Sequence, residues 1–351
     1  MKTSHLLLPA LLVPAALATL PQGTQTADGL LRFAPKPGTT ITKTFVTTST
    51  LELDSMEMSV GGNQMPMSPE MTVTSKQSLT VTDEYGALQG DTLKKLTRTF
   101  DSISADSDTE MTMMGQNQAT TTDGSSDLEG RSVTFDWNAD TEEHDVSFAE
   151  GEDGDDELLD GLVLDLDLRG LLPTEELGIG DVYDIDPRAL ADVLAPGGDL
   201  HMDIESEGQA GGMPGGSDGL GDLRSFFKDS VEGDFTGKLK EVREADGARI
   251  AVVELKIDVV TNADLTELMQ DLGNQGDLPP GVELEVKKQV IDFAYEGGGT
   301  LLWNVDAGHL VGLEIEATNS IDMDNSMAVQ GQTMDMTMSM SGETKTVITT
   351  E

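Results

Sequence analysis

The sequence predicts an α+β, mostly β protein: one large, strongly curved antiparallel sheet with two or three helices against its concave face. Three observations lead there. Two blocks, about 40–148 and 231–349, are rich in Thr, Ser, Val and Met in alternating patterns, which is strand chemistry. Between them, at about 155–196, the apolar spacing becomes helical. Near the C-terminus Val311, Leu313, Ile315, Ala317, Ile321 and Met323 share one parity, and Glu314, Glu316, Thr318, Ser320, Asp322 and Asp324 share the other. Such a strand buries one face and wets the other. Its length, about 14 residues against a usual five or six, suits a large sheet. Strands, then helices, then strands suggest a sheet that curls around the middle block.

The elements follow in order. Residues 1–18 read as a secretory signal: Lys2 and His5 precede an apolar run, Leu6 to Leu17, broken by Pro9 and Pro14, and Ala16-Leu17-Ala18 offers a small-x-small cleavage site. The run is too short to span a bilayer, which takes about 20 residues. Residues 19–39 read as a flexible N-terminal segment, and 40–350 as a single β-rich domain; a split near 206–222 is the two-domain alternative. In the first block Asp83-Glu84-Tyr85-Gly86 and Asp123-Gly124-Ser125-Ser126 read as turns. In the helical insert, 155–196, one helix is expected at 157–168, although Leu162, Leu164, Leu166 and Leu168 also alternate. A second is expected at 187–195, where Asp186 caps, Pro187 suits the first helical position and Pro196-Gly197-Gly198 stops it. Seven glycines make 206–222 a mobile loop. In the last block Asp246-Gly247 joins 233–244 to 249–261 as a hairpin. A short amphipathic segment, 265–272, leads to strands at about 283–296 and 299–305, and Asp306-Ala307-Gly308-His309 is the next turn.

Composition excludes several functions. With 351 residues, 65 Asp+Glu and 21 Lys+Arg, the formal charge is −44. That opposes nucleic acid, whose binding relies on cations that release counterions, and an anionic membrane surface. No cysteine is present, which removes disulfides, thiolate metal sites and a Cys nucleophile. The carboxylates keep an exported chain hydrated. A calcium site at Asp153, Asp155 and Asp156, within the acidic run 150–157, is the sharper alternative, although the run lacks the ligand spacing of a calcium loop. Asp181, Asp184 and Asp186 are a second, weaker candidate.

Fourteen of the 18 methionines fall at 56–71, 111–114 and 323–340. Two clusters match: Met58, Val60, Gly62, Met65, Met67 and Met71 recur 269 residues later as Met327, Val329, Gly331, Met334, Met336 and Met340. They read as two similar hairpin tips, with Met334, Met336, Met338 and Met340 on one strand face. Such thioethers pack cores, adapt an apolar surface to varied ligands, or capture Cu(I). Signs of catalysis are weak. Gly215-Gly216-Ser217-Asp218-Gly219 lacks the strand–elbow–helix context of a hydrolase. His144, His201 and His309 begin no metal pair, and Gly297-Gly298-Gly299 opens a strand rather than a phosphate-binding helix.

Two further segments carry a resemblance. Gly180-Asp181-Val182-Tyr183 precedes a short helix, and Gly299-Thr300-Leu301-x-Trp303 runs to Gly308-x-Leu310 and a Met-rich final hairpin. In these the chain resembles uncharacterised exported bacterial β-rich proteins and, remotely, the periplasmic lipoprotein-carrier family. That resemblance implies a half-barrel sheltering acyl chains beneath helices. The chain is longer and more acidic than the family, and no carrier functional residue maps onto it.

The expectation is a non-enzymatic protein, exported to the periplasm or beyond, without a cofactor or integral membrane span. It binds or carries an apolar ligand (a lipid or acyl chain) or an exported, lipidated partner on a concave face. The candidate contacts are Met58, Met65, Met67, Met71, Met327, Met334, Met336, Met338 and Met340, with Leu and Val around them. A structural or cell-surface protein is the alternative, and a Cu(I)-binding protein the third reading.

Overall fold

The computed structural model describes residues 31–65, 68–113, 115–208, 230–245, 247–267, 269–270, 284–329 and 331–351. The leader 1–18, Met67, most of the glycine-rich loop with Gly215–Gly219, and the end of the 265–272 segment lie outside the described residues.

The first block forms β1 (Thr40–Val60), β2 (Asn63–Met65), β3 (Glu70–Tyr85), the small pair β4 (Leu88–Gln89) and β5 (Thr92–Leu93), then β6 (Lys95–Met113), β7 (Gln116–Ser126), β8 (Ser132–Asn138) and β9 (Glu143–Phe148). The middle block contributes β10 (Val182–Asp184), α1 (Leu190–Leu194) and β11 (Met202–Gly208). The last block forms β12 (Val231–Ala245), β13 (Ala248–Asp264), β14 (Leu284–Asn304), β15 (His309–Val329) and β16 (Gln332–Thr350). All pairings among the described strands are antiparallel. The main sheet runs β10-β12-β13-β14-β15-β16-β1-β3-β6-β7-β11 and does not close. Its outermost strands, β10 and β11, are consecutive in the chain, so residues 185–201 strap one edge to the other across the same face.

One apolar cluster joins side chains from β12 through β16, β1, β3, β6 and β8, including Phe235, Val253, Trp303, Ile315, Phe45, Val81, Phe100 and Phe135. Nine strands laid flat would span about 38 Å at the usual spacing. Leu166, Leu168, Leu171 and Leu190 of the middle block join that cluster, so the sheet wraps around the insert.

The insert is less helical than its sequence predicts. The 157–168 helix is replaced by a 3₁₀ turn, Asp156–Leu159, and irregular chain that ends at Leu168 with φ 54°. The alternating leucines there fill separate places under the sheet rather than one helix face. At 187–195 the expected helix forms as a 3₁₀ turn, Pro187–Ala189, running into α1, with the Asp186 carboxylate accepting from the Arg188 amide. Among the described residues α1 is the one α-helix in the insert, instead of the two or three expected.

Four other expectations need correction. Residues 31–39 are packed rather than flexible: Leu31 and Phe33 enter the core, the Ala34 amide donates to the Gly308 carbonyl (2.8 Å), and Trp303 Nε1 donates to the Arg32 carbonyl (3.3 Å). Residues 206–208 of the expected loop finish β11. The expected turns at 83–86 and 123–126 are largely strand, belonging to β3 and β7. The strands at 283–296 and 299–305 are one, because β14 continues through Gly297-Gly298-Gly299. A Cβ on Gly297 or Gly299 would lie 2.3 or 2.2 Å from a carbonyl oxygen of β15. These glycines permit close strand approach rather than a turn.

A bulge at Asp54 changes which residues of β1 face inward. Ile41, Phe45, Leu51 and Leu53 do so before it, whereas Met56 and Met58 follow the same face after it, as the shift in pairing with β16 shows. Continuing along this face, the core residues give way to Thr47, Ser49, Ser75, Thr344 and Thr346, then to a second cluster. There Met71, Met338 and Met340 are buried against Leu51, Leu53, Val73, Met111 and Met323. The sheet thus has a body beneath the insert and a methionine-rich extension beyond a belt of hydroxyls.

Candidate functional site: a roofed cavity above a buried ion cluster

Charged side chains point inward at the centre of the body. Lys43 lies between Ile41 and Phe45 on β1, Asp83 between Val81 and Tyr85 on β3, and Arg98 between Leu96 and Phe100 on β6, each in phase with apolar neighbours. Asp83 and Arg98 are cross-strand partners, and Lys43, Asp83 and Arg98 are fully buried. Arg98 grips Asp83 through two nitrogens, Nε to Oδ1 at 2.7 Å and Nη2 to Oδ2 at 3.0 Å. Lys43 Nζ lies 2.9 Å from Asp83 and 3.0 Å from Asp167, which the insert supplies. The Tyr85 hydroxyl donates to Asp167 as well, 2.8–2.9 Å from its two oxygens.

The two acids respond differently to this setting. Burial pushes Asp83 up, but Arg98 and Lys43 together outweigh it and hold its carboxyl below the usual value. Burial pushes Asp167 up too, and there Lys43 only partly offsets it, so Asp167 takes up a proton more readily than an ordinary Asp. The Tyr85 hydroxyl is pushed up by burial, then by the carboxylates of Asp167 and Asp83, and stays protonated as a donor. Two cations and two anions cancel, which is what so complete a burial demands.

Arg98 also reaches the insert. Its Nη1 and Nη2 donate to the carbonyls of Val163 and Leu164 at 2.7 and 2.9 Å. The Val163 amide in turn donates to the Gly197 carbonyl at 2.9 Å. Residues 161–163 and 197–199 form a short antiparallel ribbon, with Leu162 opposite Gly198 and the Asp199 amide donating to the Gly161 carbonyl (3.1 Å). A Cβ at Gly198, where φ is +85°, would sit 2.1 Å from the Gly161 oxygen, so only glycine fits that crossing.

This ribbon carries the roof of a cavity of about 340 Å³. Its floor is Phe45, Leu79 and Ile103 from β1, β3 and β6, and its roof includes Leu194, Pro196 and Leu200. Thr47 and Gln77 lie at the side facing the hydroxyl belt. Two further bonds hold the roof: His201 Nε2 donates to the Asp160 carbonyl at 2.9 Å, and Ser126 Oγ donates to the Leu200 carbonyl. His201 adopts φ +48°, a conformation sparsely used by residues with a Cβ.

The methionines predicted as ligand contacts lie elsewhere. None of Met58, Met65, Met71, Met327, Met334, Met336, Met338 and Met340 lines the cavity, whose one thioether is Met202. The two matching segments are indeed hairpin turns, β1–β2 and β15–β16, and they lie side by side: Met58 pairs with Met336 and with Met65, Val60 with Met334, and Met334 with Met327. Met71, Met338 and Met340 are only 4–5% exposed, because Leu51, Leu53 and Val73 pack on them. Met58, Met327, Met334 and Met336 are half-buried, and Met65 is exposed. The hollow expected to be lined by these thioethers is filled at its base by the chain's own side chains.

The calcium alternative also loses its geometry. Asp155 caps the 3₁₀ turn by accepting from the Glu157 amide, and Asp153 holds Arg131 through its backbone carbonyl. Asp156 lies within that turn, and among the described residues no three acidic or histidine side chains converge to hold a metal. Asp181 and Asp186 likewise accept from backbone amides. No described helix is long and apolar enough to cross a membrane.

No protein-family model and no curated protein matches the sequence. Among solved structures, the chain is similar to the outer membrane protein OprG from Pseudomonas aeruginosa at 7% identity, covering 90% of this chain and 97% of that one. The TM-score is 0.19, too low to carry a reading of fold or function. What defines this protein's class is its own architecture: an open, antiparallel, mostly β half-barrel-like sheet wrapped around an irregular insert.

Proposed function

We propose that this is a non-enzymatic, exported binding protein that takes a single-chain apolar or amphiphilic molecule into the cavity between β1, β3, β6 and the 194–204 roof. The observation that carries this reading is the cavity itself, an apolar concavity roofed by irregular chain that leads into the edge strand β11, of a size at the lower end of small-molecule sites. That size favours one alkyl chain over a two-chain lipid. The side toward Thr47 and Gln77 suits the polar end of such a molecule. The formal charge of −44 disfavours an anionic head and favours a neutral or cationic one. The five groups of the ion cluster are buried and do not line the cavity, so a molecule bound there does not touch them.

The test is titration of the full mature chain with a neutral fluorescent alkyl probe, alongside Ala105→Phe, which fills the cavity from its lining. Saturable binding that weakens about tenfold or more in the variant is expected, since the added ring takes the ligand's volume. Equal binding by both proteins would remove the cavity as the site. No binding by either would favour a structural or cell-surface role.

A further inference from the structure

We infer that the Asp83–Arg98 pair is the positioning unit of the cavity roof, setting how often the cavity opens. The path is short and continuous. Asp83 fixes the guanidinium through two bonds, and the guanidinium fixes the Val163 and Leu164 carbonyls. Val163 fixes Gly197, which lies in the roof one residue after Pro196, and a Cβ there would touch the floor residue Leu79 at 3.4 Å. Lys43 and Tyr85 hold the same stretch of insert through Asp167.

An ion pair wanted only for cohesion of the core is replaceable by apolar side chains of similar volume, often without loss. Here the guanidinium does something an apolar residue does not: it supplies donors to two backbone carbonyls of a segment with little regular structure of its own. The first of those carbonyls, of Val163, belongs to the ribbon strand paired with 197–199, and the second, of Leu164, follows directly after it. With Arg98 in place the ribbon has a fixed edge; without it, 161–164 lose their attachment to β6 and the roof loses its support. The remaining roof bonds are those of the Asp199 amide to Gly161, of His201 to Asp160 and of Ser126 to Leu200, with the pairing of β11 to β7, and none of them ties 161–164 to β6.

The mechanical link stands on these bonds alone, whereas its use in admitting a ligand rests on the binding role proposed above. The test therefore reads the roof without any ligand. The chain has no cysteine, so a single Ile103→Cys on the cavity floor, at a position 3% exposed, reports roof opening by its rate of reaction with a small thiol reagent. A separate Val253→Cys, at a fully buried position on β13 away from the cavity, reports opening of the body. Each is combined with Arg98→Lys, which keeps the charge beside Asp83 but loses the planar fork, and with the milder Tyr85→Phe.

The ratio of the floor thiol's rate to the β13 thiol's rate should rise about tenfold or more in Arg98→Lys, and by less in Tyr85→Phe, because local opening costs less than global opening and loses its anchor first. An unchanged ratio in both backgrounds, with both rates raised together or neither raised, would overturn the inference. If Arg98→Lys does not fold, Tyr85→Phe decides alone: a raised ratio supports the anchor and an unchanged one rejects it. Failure of probe binding in the preceding experiment leaves this ratio untouched, so the two readings fail separately.

Discussion

The body and the extension of this sheet share β1, β3, β6, β15 and β16, yet they are held together by different means. In the body, rigid side chains such as Trp303, Phe45 and Phe100 fill the space under the insert, and four charges in mutual contact pin three strands to that insert. In the extension the same strands carry Met71, Met338 and Met340 with Leu51, Leu53 and Val73, and no described ion pair is buried there. Between them the hydroxyls of Thr47 and Thr346 (3.1 Å) and of Thr344 and Ser49 (3.1 Å) pair across strands. The difference teaches that strand pairing alone does not decide local rigidity. The body has charged groups whose partners are fixed, so it has one arrangement, whereas flexible thioethers accept several at similar energy.

The largest test of this contrast is Asp83→Ala. It leaves Arg98 with no carboxylate and Lys43 with only Asp167, which prefers its proton more than an ordinary Asp does. Removing one partner of a buried ion pair costs about 3–5 kcal/mol, and the loss should appear as a lower denaturation midpoint for the body. A cost below about 1 kcal/mol would show that the pair is hydrated and that the body is not pinned by it. Met340→Ala in the extension should cost less, about 2–3 kcal/mol, because its surroundings relax into the space. Hydrogen exchange should show that loss in the amides of β1 and β16 near Leu53 and Met340 before those near Phe45 and Ile348.

Much of this division is legible in the sequence, and the exceptions have physical causes. Alternation exposes both β blocks and the buried parity of β15, because one wet face leaves a period of two, and the Asp246-Gly247 signal marks the hairpin in which Ala245 pairs with Ala248. Asp186-Pro187 marks the start of the helical turn correctly, because capping is local. The insert misleads because Leu158 to Leu168 are spaced for a helix yet answer to separate pockets under a curved sheet, a tertiary demand no local pattern carries. Glu84 and Gly86 make their neighbour Asp83 resemble part of a turn. A stronger signal is present: Lys43, Asp83 and Arg98 each interrupt an apolar i−2, i, i+2 run. Three charges of mixed sign pointing into one core predict a buried cluster. The methionine repeat reveals two hairpin tips, but their adjacency comes from chain topology, and the cavity leaves no sequence pattern because its roof is irregular.

Acid sharpens the comparison between the two buried carboxylates. Asp83 is lowered in the fold, so its stabilisation is present above the unfolded value of 3.8 and is lost as pH falls through its folded value. Asp167 is raised, so the fold favours its protonated form and its contribution grows as pH falls toward 3.8. Asp167→Asn removes that compensating gain. The variant should lose stability more steeply than the parent on acidification from neutrality toward 3.8, as measured by urea midpoints at each pH. Parallel curves would mean that Asp167 titrates normally and is not held in the cluster.

The smallest effect is expected at a second buried tyrosine. Tyr85 and Tyr295 are each 1% exposed, but Tyr85 donates to Asp167, whereas the Tyr295 hydroxyl has no hydrogen-bond partner among the described residues. Its cross-strand neighbour, Asn319, also has an unpaired amide oxygen. Burial pushes the Tyr295 hydroxyl up to about 12, so it stays protonated throughout the physiological range. Tyr295→Phe removes a polar atom already deprived of water and keeps the ring stacked near Phe293, 6.1 Å away. Its stability should change by less than about 1 kcal/mol, or rise. Tyr85→Phe leaves the Asp167 oxygens with one donor fewer and should cost about 1.5–3 kcal/mol, the range for a hydrogen bond to a charged group. Equal costs at the two positions would break the contrast, because they would show that the Tyr295 hydroxyl is paired as firmly as the one the ion cluster holds.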